Sequence, residues 1–280
     1  MSDSVTNINW YPGHMAKARR QMEEQLKLVD IVIELRDARI PEASANPLLK
    51  QLSANKPVLI ILNKADMADE NKSKLWKNQY EHCLITSSTN DNLTKMVVNE
   101  VKEILKDKLE KAKARGIRKK VLRAMVVGIP NVGKSTFINN IVKKKVAKAE
   151  NRPGVTKSLQ WIRINEDVEL LDTPGVLWPK FDNQEDARLL ALLGSINDDI
   201  LDKEELVIFG LNYLLEHYPG LISSRYEVDE KSDNLIEDIA RNKKWLTNDN
   251  NIDRTKAIDL ILKDIRSDKI GKITWQDVRE

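Results

Sequence analysis

Three stretches of this 280-residue chain carry residues whose types and spacing suit one kind of chemistry. The octapeptide GIPNVGKS, residues 128 to 135, has the spacing G-x-x-x-x-G-K-[ST]; it follows an apolar run and opens the helical pattern TFINNIVKK. In that context the glycines let successive backbone N–H groups wrap a phosphate chain at the positive end of a helix. Asn131, Val132, Gly133, Lys134, Ser135 and Thr136 are therefore candidates for binding nucleotide phosphates. Lys134 would neutralise the β and γ oxygens and Ser135 would ligate Mg²⁺. The second stretch, DTPG at 172 to 175, ends a predicted strand: Asp172 can hold Mg²⁺ through a water, and Gly175 can offer its N–H to a γ-phosphate. Between the two lies the polar loop NRPGVTKS, 151 to 158, whose Thr156 can complete the metal's shell. Such a loop is ordered only while the γ-phosphate and metal hold it.

The third stretch is NKAD, residues 63 to 66, at the end of the apolar run PVLIIL. Guanine differs from adenine at its Watson–Crick edge, so selecting it needs a carboxylate that accepts from N1–H and the exocyclic amine. Asp66 supplies one; Asn63 can brace the loop while facing the purine, and Lys64 can lay its aliphatic stem along the ring. A site of this kind rejects the wrong base because buried polar groups would be left unpaired. ITSS, residues 85 to 88, ends another predicted strand and offers Ser87 and Ser88 to the other edge of the base.

A sheet must hold these loops together. The runs IVIEL (31 to 35), VLIIL (58 to 62), CLITS (83 to 87) and AMVVG (124 to 128) are apolar on both faces, as strands inside a helix-covered parallel sheet are. QWIRIN (160 to 165) and VELLD (168 to 172) read as a hairpin around Glu166 and Asp167. The expectation is an α/β fold with a six-stranded, mostly parallel sheet and one antiparallel edge. Beyond Pro179 only helical patterns remain, with Ile258, Ile261, Leu262 and Ile265 on one face of the last. This predicts a domain over 1–179 and a small all-helical domain over 180–280. Base-reading motifs normally follow the phosphate loop, and here they precede it. Joining 130-to-180 ahead of 30-to-100 restores the usual order without breaking a strand–loop junction, and chains tolerate permutation at surface loops. The fold expected is a circularly permuted P-loop GTPase domain, with residues 102 to 123 connecting the old ends.

Charged residues make up 32% of the chain, and no apolar run approaches the roughly 18 to 20 residues of a membrane span. The segment MSDSVTNINWYPG has neither the basic nor the apolar region of an export signal, so a cytoplasmic location is expected. Cys83 is the only cysteine and sits in a strand pattern; His14, His82 and His217 are too scattered for a metal site. Charge is uneven: residues 1 to 179 hold 31 Lys and Arg against 21 Asp and Glu, whereas 180 to 280 hold 15 against 22. Between Lys102 and Arg123 ten basic residues face three acidic ones, which reads either as a solvated helix and loop or as a footprint for a phosphate backbone.

Together with WYPGHMAKARR (10 to 20), DARIP (37 to 41), RPGVT, LLDTPGVLWPK and EHYP, these motifs make the chain resemble bacterial ribosome biogenesis GTPase A, a circularly permuted GTPase family of large-subunit assembly. The resemblance covers nearly the whole chain. It implies GTP hydrolysis to GDP coupled to binding a precursor of the large ribosomal subunit, through rRNA and ribosomal proteins; separately, the expectation is a monomer with no membrane attachment, the sequence itself leaving the oligomeric state open. Arg254, Lys256, Lys263, Arg266, Lys269 and Lys272 are candidate RNA contacts around the last helix, although each taken singly reads more readily as solvated helix surface. Many GTPases place a water-orienting glutamine after D-x-x-G, but here Val176 stands there. His14 is the candidate to act in its place, a role to which the resemblance also points; otherwise it caps or packs. Asn131 resembles the asparagine with which glutamine-less relatives hold K⁺ beside the phosphates. Competing readings are a GTP-dependent RNA-binding switch outside ribosome assembly, a GTPase of another class, and a P-loop kinase or ATPase, the last disfavoured by Asp66.

Overall fold

The computed structural model describes residues 20, 22–47, 49, 53, 56–87, 89–143, 160–172, 183–196 and 202–278. At its centre β1 (Ile31–Asp37) runs parallel to β2 (Val58–Asn63) on one side and to β4 (Leu122–Gly128) on the other. β3 (Cys83–Ile85) extends the sheet beyond β2; β6 (Val168–Asp172) lies parallel to β4, and β5 (Gln160–Arg163) closes that edge antiparallel. The order β3-β2-β1-β4-β6-β5 is the six-stranded, mostly parallel sheet expected. Ile31, Val32, Ile33 and Leu35 are all fully buried, so both faces of β1 are covered and its near-continuous apolar run has its physical reason. Its polar exceptions satisfy each other: Glu34 accepts from Arg36 at 2.7 Å and from the Asn46 amide at 2.8 Å.

Two strands are shorter than their apolar patterns. Asn165 Oδ1 accepts from the amides of Asp167 and Val168, each at 2.9 Å, which starts the hairpin turn early and stops β5 at Arg163. β3 stops at Ile85 because the Thr86 carbonyl turns to accept the Ala65 amide at 3.2 Å, tying together the two loops expected to face the base.

Besides helical residues at 20, 22–26, 47 and 49, the described residues include nine helices: α1 (Glu70–Lys77), α2 (Leu93–Ile104), α3 (Lys106–Ala114), α4 (Lys134–Val142), α5 (Gln184–Leu192), α6 (Lys203–His217), α7 (Leu221–Tyr226), α8 (Leu235–Asn242) and α9 (Arg254–Arg266). Asp202 and Asp253 start α6 and α9 by accepting from first-turn amides. These two helices pack closely: a Cβ at Gly210 would meet Ile265 at 3.0 Å and Leu192 at 3.2 Å. One apolar core runs without a break from the sheet into the helices, through Leu189, Leu211, Ile261 and Trp275. After α9 the chain returns to the sheet, with the Ile273 amide on the Met67 carbonyl and the Trp275 amide on the Arg39 carbonyl. No helix of the described residues is long and apolar enough to cross a membrane.

Candidate functional site

The register pairs Leu35 with Gly128 and Asp37 with Asn63, so β1, β2 and β4 end level and their loops share one rim. The loop after β4 follows from its glycines. A Cβ at Gly128 would stand 2.9 Å from the Leu35 carbonyl and 2.9 Å from Val132, so only glycine lets the loop lie this close to β1. Gly133 has φ 92° and turns the chain into α4 with no side chain capping the helix start. A helix start whose N-cap residue brings no side-chain acceptor suits a phosphate. Lys134 begins the helix and is buried, Ser135 follows half-buried, and Thr136 is exposed.

Residues 69 apart in sequence meet at this rim. Asn63, fully buried, donates from Nδ2 to the Val132 carbonyl at 2.7 Å, so the loop expected to read the base is bonded directly to the loop expected to hold the phosphates. Asp66 lies in a 3-10 turn at Ala65–Met67 and is exposed, its carboxylate open for a ligand. Ser87 is half-buried and shares a hydrogen bond of 2.8 Å with Thr89. Lys64 departs from expectation in one respect. Its φ of 61° is in the left-handed region, and its ammonium is anchored on Asp37 Oδ2 at 2.9 Å. The same carboxylate accepts from Arg39 Nε at 2.9 Å and Nη2 at 2.8 Å. Burial would raise the Asp37 pKa, but the Arg39 and Lys64 cations outweigh it and hold the carboxyl well below the usual range. Burial lowers the Lys64 pKa, with Asp37 opposing and Arg39 reinforcing that shift.

Sequence reasoning gave Asp37 and Arg39 no role. Their only local signal is the pair of opposite charges, two residues apart, ending a strand that is otherwise apolar. Both also lead toward the helices. Arg39 Nη1 donates to the Arg266 carbonyl at 3.2 Å, and Arg266 closes α5 by donating to the Leu192 carbonyl at 2.9 Å and the Ala191 carbonyl at 2.8 Å. Asn131, at φ 60°, donates from Nδ2 to the Gly194 carbonyl just after α5 at 2.6 Å. Thr274 donates to the Ala38 carbonyl at 3.4 Å and accepts from the Asp69 amide at 3.1 Å.

Two of the expected RNA contacts are spent inside the protein. Arg266 is the cap just described, and Arg254 bridges Glu204 and Glu237. Lys256, Lys263, Lys269 and Lys272 are exposed. Asp172 closes β6 in register with Val126, two residues before the phosphate loop. His14, Ser88, Thr156 and Gly175 lie outside the described residues, as does Val176. Cys83 is a buried strand residue, and burial pushes its thiol up to about 11. It is a packing group, as its setting suggested.

The sheet order, the glycine loop opening α4 and the bonded base loop define a P-loop GTPase whose chain enters the fold at the base-reading half. A family model described as "50S ribosome-binding GTPase" matches residues 123–248, the part from β4 onward in which the motifs keep their usual order. Ribosome biogenesis GTPase A of Priestia megaterium is 43% identical over 281 residues, covering 98% of each chain. That of Bacillus licheniformis is 42% identical over 276 residues, covering 96% of this chain and 98% of the relative. The crystal structure of GNP-bound YlqF from T. maritima matches with a TM-score of 0.65 at 26% identity, covering 93% of this chain and 98% of that one. The chain belongs to the ribosome biogenesis GTPase A family, and it is a GTPase.

Proposed function

We propose that this GTPase binds an immature large ribosomal subunit and couples GTP hydrolysis to a late step of its assembly. The observation that carries the reading is the 2.7 Å bond from Asn63 to the Val132 carbonyl, which joins the NKAD loop to the GIPNVGKS loop as a single guanine-nucleotide site would require. In that site Asp66 reads guanine N1–H and the exocyclic amine, and Lys64, fixed by Asp37, lines the base. Ser87 and Ser88 face the base's other edge. Residues 131 to 136 wrap the phosphates, Lys134 neutralising the β and γ oxygens, and Gly175 reports the γ-phosphate through its N–H. Ser135, Thr156 and Asp172 fit a hard cation by donor type, and Mg²⁺ held by them would offset charge on the β and γ oxygens. Asn131 would hold K⁺ by its amide oxygen, its NH₂ being engaged by Gly194. His14 orients the attacking water in place of the glutamine that Val176 displaces.

Residues 180 to 280 form the helical part that the nucleotide state moves, since the chain passes straight into them from DTPG. The names of the relatives support a ribosomal partner. We read the protein as a cytoplasmic monomer. The test is co-sedimentation with precursor and mature large subunits under a GTP analogue, GDP and no nucleotide. Binding to the precursor with the analogue, weakened by GDP, is expected. Binding that ignores nucleotide overturns the coupling, and failure to bind either particle overturns the ribosomal assignment.

A further inference from the structure

Away from the nucleotide rim, α3 presents a concentration of charge that the fold does not use. Only Leu109 and Ala112 turn this helix toward the protein, and its remaining residues are charged or small. Lys102 pairs with Asp167, Lys108 and Lys120 with Asp30, Lys119 with Glu166 and Arg123 with Glu169. Lys111, Lys113, Arg115 and Arg118 are exposed and have no ion-pair partner among the described residues. Lys111 and Lys113 sit in the last turn of α3, where the helix dipole favours cations by roughly 0.3 to 1 kcal/mol. That accounts for two of the four, but Arg115 and Arg118 lie beyond the helix end. Asp30 precedes β1, Asp167 precedes β6 and Arg123 is the second residue of β4, so the patch lies at the strand starts, the opposite end of the sheet from the nucleotide rim.

We propose that Lys111, Lys113, Arg115 and Arg118 form a docking surface for the phosphate backbone of ribosomal RNA, independent of nucleotide state. Residues 106 to 120 include no aromatic side chain to stack on a base, so the contact is electrostatic and indifferent to base sequence. Its position lets RNA engage without covering the rim that exchanges nucleotide. The inference rests on the ribosomal reading above, because it takes rRNA as the partner.

The test compares the full-length protein with a variant carrying Lys111→Gln, Lys113→Gln, Arg115→Gln and Arg118→Gln. Affinity for deproteinised large-subunit rRNA and for precursor particles is measured over a series of salt concentrations, with a GTP analogue and with GDP. The variant's plot of log affinity against log salt should be shallower by about 3, at about 0.7 to 0.9 per phosphate lost, equally with both nucleotides. Unstimulated GTP hydrolysis and the melting temperature should not change, all four residues being exposed. Lys111→Gln alone should lower the slope by about 1. Slopes equal to wild type overturn the surface while leaving the proposed function standing. Loss on particles but not on naked rRNA overturns the RNA assignment in favour of an acidic protein surface. A wild type that binds neither target overturns the ribosomal reading, and this inference with it.

Discussion

Lys64 Nζ lies 2.9 Å from Asp37 Oδ2, and that carboxylate is 3% exposed and shared with Arg39. Lys64, in the loop proposed to read the base, is thus held by a charge from a neighbouring strand end. Asp37→Asn would leave the buried Arg39 and the half-buried Lys64 without their anion, and breaking a buried pair costs about 3 to 5 kcal/mol. The variant should melt at lower temperature and bind GTP more weakly, with less change in turnover; an unchanged melting temperature would show that the pair contributes nothing.

The same carboxylate sets an acid limit. Its folded pKa is depressed, so the stability it contributes is present above the ordinary carboxylate value of about 4 and is lost as pH falls from there toward the folded value. Melting temperatures of wild type and Asp37→Asn, far apart at neutral pH, should therefore converge only below about pH 4. Convergence already near pH 6 would contradict this assignment.

Asp66→Asn exchanges an acceptor for a group that can donate. Loss of charge-assisted bonds to guanine should weaken GTP binding by about 100-fold, while xanthosine triphosphate, whose edge accepts where guanine donates, should bind the variant better than GTP. Calorimetric titration of both nucleotides decides; equal losses for the two would place the base elsewhere.

Most of the scaffold, and the strand–loop–helix setting of the GIPNVGKS stretch, were legible in the sequence because their signals are local. A parallel strand buried on both faces is a continuous apolar run, and a phosphate loop is a glycine spacing between a strand and a helix. What joins the site to the helices was not legible. Arg39 meets the Arg266 carbonyl across 227 positions, and Thr274 meets the Asp69 amide across 205. No periodicity marks a contact between a side chain and a backbone carbonyl so distant. Asn131 was read as a cation ligand by resemblance, and nothing in that octapeptide indicates that Gly194 holds its amide. Arg266, read as surface, could be seen as a helix cap only once α5 stood beside it.

His14→Ala should lower turnover by about 100-fold, within the range for a group that positions or takes a proton, with GTP affinity nearly intact. Single-turnover hydrolysis on large subunits measures it, and an unchanged rate would assign the histidine to packing. Replacing K⁺ by Na⁺ in the same assay should slow hydrolysis in the wild type but not in Asn131→Ala; equal wild-type rates would remove the cation from the site.

Trp275 is 2% exposed and packs on Tyr213 with ring centroids 5.1 Å apart, while its amide fixes the Arg39 carbonyl. Trp275→Ala should cost about 3 to 5 kcal/mol in denaturant unfolding and also weaken GTP binding through the loops it supports. Lost stability with unchanged nucleotide affinity would separate the two.

The strap of residues 273 to 276 also gives the site a temporal order. Met67, Ala38 and Arg39 leave the translating ribosome long before Ile273, Thr274 and Trp275 are polymerised, yet their carbonyls wait for those residues. A nascent chain of this protein would therefore hold guanine nucleotides poorly until residues 273 to 275 have been polymerised and have reached those carbonyls.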